Sequence, residues 1–169
     1  MSRTLVAGFG NVLRGDDGFG VEVVRRLEPR LERRPDGPPP GVELLDVGTG
    51  GIRLAQELCG GYDRLIVVDA MQRGGAPGTV YVLAVDALAE AAEAIDAHLA
   101  VPSSALALAR ALGVLPSEVV MVGCEPEPCT LDELTLALSP RAAAAADEAV
   151  DAIVQLLRRP MPNASTSHA

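Results

Sequence analysis

The chain has 169 residues, 49% of them apolar but only 2% aromatic, and a formal net charge of −9. That length suits one domain with an aliphatic core, and the acidic balance argues against nucleic acid or an anionic membrane surface as partner. No apolar run approaches the roughly 20 residues of a membrane span, and one Arg followed directly by a core strand does not read as a signal peptide.

In chain order, Arg3 to Ala7 reads as a buried strand and Gly18 to Glu28 as an amphipathic helix, with Pro29 expected to end or kink it. The proline-rich stretch Arg33 to Gly41 is a surface loop, because proline lacks the donor that a helix needs. Val42 to Val47 is a second strand, closed by Gly48-Thr49-Gly50-Gly51, and Ile52 to Leu58 a short helix. Arg64 to Val68 is a third strand that ends at Asp69; after the turn Gly74 to Gly78, Thr79 to Val85 is a fourth. The Ala-rich run Asp86 to Asp96 reads as helix. Another helix opens at Pro102 or Ser103 and stops at Gly113, with Ser103 and Ser104 as caps. Val119 to Val122 is a fifth strand, and one long helix within Leu131 to Leu157 is capped near Ser139-Pro140. Residues 1–159 form a single domain in this reading, and the polar residues 160–169 a disordered tail.

Continuous aliphatic strands separated by helices imply an α/β fold whose mostly parallel sheet is covered on both faces. The strands Arg64–Val68 and Thr79–Val85 are joined closely enough to allow one antiparallel member. In such a sheet the ligand site lies outside the carboxyl ends of the strands. The segments 8–20, 48–51, 69–78 and 123–128 fall there.

The first of these segments carries the chemistry. Gly8-Phe9-Gly10 begins like a dinucleotide turn, but Leu13 stands where close helix packing wants Gly or Ala, and Asp16 and Asp17 would repel a pyrophosphate. No Gly-Lys-Ser/Thr is present. Adjacent carboxylates suit a metal or a cationic group instead. One of the pair, for preference Asp16, caps the following helix. Asp69 projects at the carboxyl edge of its strand, and His98 is one of two histidines, the other lying in the tail. Asp17, Asp69 and His98 together offer two hard oxygens and an imidazole nitrogen, a set that suits Zn²⁺, Ni²⁺ or a similar ion with positions left open. Each also has a structural reading, as a turn residue or a buried histidine. Cys59, Cys124 and Cys129 read as reduced thiols; Cys124 ends a strand where it would be exposed, yet lacks an evident His partner for nucleophilic work.

The run Gly8-x-Gly10-Asn11-x-Leu13-x-x-Asp16-Asp17-Gly18-x-Gly20 resembles the N-terminal signature of the NiFe-hydrogenase maturation endopeptidases. Asp46 to Gly51, Val67 to Ala70 with Pro77 to Val80, His98, and Val122 to Glu127 resemble further segments of that family in the same order. The resemblance implies a three-layer α/β/α sandwich around a twisted, mostly parallel five-stranded sheet. It also implies an endopeptidase, of a kind often classed with aspartic peptidases, that removes a C-terminal extension from a hydrogenase large-subunit precursor. Asp17, Asp69 and His98 would contact nickel that arrives with that precursor, with Asp17 and Asp69 also in catalytic roles and no organic cofactor. A monomeric, cytoplasmic protein is expected. Position 17 is Asp where some members carry Glu, and His98 is followed by Val101-Pro102 where the family often has Gly. The competing reading is a non-catalytic metal- or partner-binding module on the same fold.

Overall fold

The computed structural model describes residues 1–85, 100–128 and 134–161. Five strands form one sheet: β1 (Thr4–Phe9), β2 (Val42–Gly48), β3 (Arg64–Ala70), β4 (Val80–Ala84) and β5 (Glu118–Cys124). Their spatial order is β2-β1-β3-β5-β4, with β1, β2, β3 and β5 parallel and β4 antiparallel to β5. The described α-helices are α1 (Phe19–Glu32), α2 (Gly51–Leu58), α3 (Ala100–Ala111) and α4 (Pro140–Arg158).

The uninterrupted apolar runs of β1 and β3 follow from their central place, where both faces are covered. Successive side chains point to opposite faces. Val6, Ile66, Val68, Val120 and Val122 pack under α1 and α4, while Leu5, Ala7, Phe9, Leu65, Val67 and Met121 pack under α2 and α3. The result is the α/β/α sandwich. Helix α4 presents Ala142, Ala145, Ala146 and Ala149 to the first core, so small side chains let it lie close against its neighbours. At the amino edge of the sheet, buried Arg64 pairs with Glu118 (2.6 Å) and donates to the Leu156 carbonyl (3.0 Å), a cation placed at the end of α4.

Several local expectations are corrected. Helix α1 continues through Pro29 to Glu32, because Leu27 and Leu31 share its buried face, and their burial outweighs the one helical hydrogen bond that the proline lacks. Helix α3 already includes Ala100, so Ser103 and Ser104 lie inside it and not at its start. The one antiparallel member that the sequence allowed is present: it is β4, paired with β5. The helix read over Asp86 to Asp96 and residues 162–169 of the tail lie outside the described residues.

Candidate active site

From β1 the chain passes to β2 on one side, while β3 lies on the other. The carboxyl ends of β1 and β3 therefore frame the switch point where ligands bind in sheets of this type. The turn after β1 is shaped by its glycines. Gly10 has φ of 140°, and a β-carbon there would collide with the Asp17 carbonyl oxygen. Gly20 sits where a β-carbon would strike the carbonyl oxygens of Val68 and Phe9, so only glycine lets α1 start this close to the sheet. Between them, the Asn11 side chain accepts from the Leu13 amide (3.0 Å), and Gly15–Gly18 forms one tight 3-10 turn. That turn sends its two carboxylates in different directions.

Asp17 is exposed, and one of its oxygens accepts from the Asn11 amide at 3.3 Å. Asp69 is 7% exposed at the carboxyl end of β3, and its Oδ1 accepts from the Ala70 amide at 2.8 Å. Its pKa is pushed up to about 7, chiefly by burial; the Ala70 hydrogen bond opposes the shift and the negative charge of Asp17 adds to it. The structure thus brings Asp17 and Asp69 to one place. His98 lies outside the described residues, and among those residues no three His, Cys, Asp or Glu side chains gather into a ligand set.

Asp16 does not cap α1. No side chain caps that helix or the 3-10 turn before it. Instead Asp16 turns inward and accepts three hydrogen bonds, from the Ser139 amide (2.7 Å), the Ser139 hydroxyl (2.8 Å) and the Glu127 amide (2.9 Å). It ties the site turn to the start of α4 and to the loop after β5. Ser139 meanwhile caps α4, as expected, by accepting from the Ala142 amide at 3.2 Å.

Glu125 has a role that sequence reasoning missed. It is buried and accepts from the Arg73 amide and the Tyr81 hydroxyl, both at 2.8 Å. Burial would raise its pKa, but these bonds, with those from the Gly75 and Gly74 amides, hold it below the ordinary carboxylate value. An anion therefore organises the loop that follows Asp69. The one available signal was an acid directly after a strand end, which fits many turns. Cys124, expected to be exposed, is buried, and burial foremost pushes its thiol up to about 12. A thiol so hard to ionise is no nucleophile at neutral pH.

A pair of carboxylates of which one titrates near neutrality can bind a divalent cation or move a proton. The family model of hydrogenase maturation proteases matches residues 21–156. The chain belongs to that family, and it is a peptidase. Among curated relatives of this protease, it is 34% identical over 154 residues to the hydrogenase expression/formation protein HoxM of Cupriavidus necator, covering 90% of this chain and 72% of that one. It is 33% identical over 157 residues to a putative hydrogenase maturation protease of Methanocaldococcus jannaschii, covering 92% and 96%. Among solved structures, the hydrogenase maturating endopeptidase HybD from E. coli is 31% identical with a TM-score of 0.75, covering 92% of each chain.

Proposed function

We propose that this maturation protease removes a C-terminal extension from the precursor of a hydrogenase large subunit, and that it recognises the nickel already bound in that precursor through Asp17, Asp69 and His98. The observation that carries this reading is the Asp17–Asp69 pair at the switch point. Asp69 is buried with a proton affinity near neutrality, and a neighbouring negative charge makes its ionisation harder still. A divalent cation brought by the substrate relieves both costs, so the pair favours a loaded precursor over an empty one.

Nickel supplies Lewis acidity towards the scissile carbonyl or the attacking water. The chain's own groups do the rest. Asp17 reaches solvent and is placed to meet the incoming ion first. Asp69 is held ionised once the ion arrives, and a carboxylate of the pair that is not bound to the ion suits the part of general base. Asp16 fixes the turn from behind without facing the reaction. A precursor without nickel lacks the anchor, so cleavage is gated by metal insertion. The test is incubation of the purified protein with the cognate precursor, with and without nickel, followed by intact mass measurement. Loss of a C-terminal fragment only from the nickel-loaded form supports the proposal; equal loss from both forms removes the gating role.

A further inference from the structure

A second feature lies beside the site turn. Thr135 pairs with Arg14 in a short parallel bridge: the Thr135 amide donates to the Leu13 carbonyl (3.0 Å) and the Gly15 amide donates to the Thr135 carbonyl (2.7 Å). In an extended segment, alternate residues direct their backbone groups to opposite edges. With Thr135 committed to the site turn, Leu134 and Leu136 direct theirs outward, and among the described residues neither has a backbone partner. Their side chains are 80% and 78% exposed, unusual for leucines in a chain that buries most of its large aliphatics.

Leu136 also lines a groove of about 370 Å³ with Val12, Leu138, Arg25 and the Glu22–Arg26 ion pair, whose charges offset each other. The groove runs from the site turn towards α1. Arg25 is exposed and makes no ion pair among the described residues, in a chain of net charge −9. Free backbone groups on one edge, two apolar side chains and an uncommitted cation are the complement of an extended peptide that carries an apolar side chain and a carboxylate.

We propose that the edge 134–136 and the adjoining groove bind the C-terminal extension of the precursor as an added strand. An apolar side chain of the extension enters the groove beside Leu136, and a carboxylate of the extension, side-chain or terminal, pairs with Arg25. This rests on the reading of the chain as a processing peptidase, and it assigns the specificity surface of that site. The Gly15 amide joins the inner edge of 134–136 to the turn that bears Asp16 and Asp17, so a strand laid on the outer edge lies about 10 Å from that turn, two strand spacings away.

Two measurements test it. The first needs no cleavage: a synthetic peptide with the sequence of the extension is added to the whole protein, and amide exchange is followed. Slower exchange at Leu134 and Leu136 is expected, weakened in Arg25→Glu. Unchanged exchange at both positions overturns the proposal, and so does slowing that grows with protein concentration in the absence of peptide, which marks pairing between two copies of this chain. The second uses the nickel-loaded precursor with the Leu134→Ser/Leu136→Ser variant, both sites being on the surface. KM is expected to rise about tenfold, the loss of one to two apolar contacts, with kcat nearly kept. An unchanged KM overturns the surface while leaving the peptidase reading intact. Absence of cleavage by the unaltered protein counts against the peptidase reading alone, and the exchange experiment still decides the surface.

Discussion

The amide and the hydroxyl of Ser139 both donate to the Asp16 carboxylate, at 2.7 and 2.8 Å. Through that pair the residue that starts α4 is locked to the turn that presents Asp17. A carboxylate with three donors and almost no solvent is expensive to leave incomplete.

Asp16→Ala therefore orphans the Ser139 and Glu127 amides and should cost about 3 kcal/mol, given about 1.5 kcal/mol or more for each bond to a charged group and some recovery by water. Urea denaturation measures this. Ser139→Ala, which also loses the helix cap, should cost about 2 kcal/mol. The two effects should add to less than their sum in the double variant, because they share bonds.

Asp69 sets a pH dependence. Its pKa rises from 3.8 to about 7 on folding. Between these values the native state holds a proton that the unfolded chain has released, so stability falls as pH rises from about 4 to about 7 and then levels. Asp69→Asn, neutral throughout, should abolish that slope and stabilise the metal-free protein at pH 8 by about 2 to 4 kcal/mol. Denaturation curves at pH 5 and pH 8 check the sign; a variant that keeps the full slope would assign the effect to other groups.

Gly20 is confined by backbone on two sides. Gly20→Ala should lower stability by about 3 kcal/mol, the upper range for overpacking, since carbonyl oxygens of Phe9 and Val68 cannot swing away as a side chain would. Thermal unfolding reads it directly. The same change should impair cleavage by displacing Asp17.

Glu125→Gln replaces an anion by a neutral group where amide donors converge. Stability should fall by about 2 kcal/mol, and amide exchange should speed up at Arg73, whose hydrogen bond it weakens.

The strands and most helices were legible because their signals are local. An aliphatic run is long enough for a strand, a glycine or proline stops it, and Ser139-Pro140 opens α4. Asp69 was legible from its position alone, at the end of such a run. What escaped depends on partners far along the chain. Asp16 looked like a cap for the next helix, yet its donors lie 111 and 123 residues away. Glu125 gained its meaning from Arg73 and Tyr81, 52 and 44 residues away. The antiparallel member was legible from the short turn before β4, but its partner β5 lies far along the chain and inserts between β3 and β4. At Pro29 a local stop signal lost to the burial of Leu27 and Leu31, which kept α1 going.

The central claim is that Asp17 and Asp69 engage the nickel carried by the precursor. The most direct measurement compares cleavage of one nickel-loaded precursor by the unaltered protein, Asp17→Asn and Asp69→Asn, with C-terminal mass loss as the readout. Each amide keeps the size of the side chain and removes its charge. The account predicts that either change lowers the rate at least about a thousandfold, as loss of about 4 kcal/mol of interaction at the reacting centre would. Rates within a few-fold of the unaltered protein for either variant would contradict it.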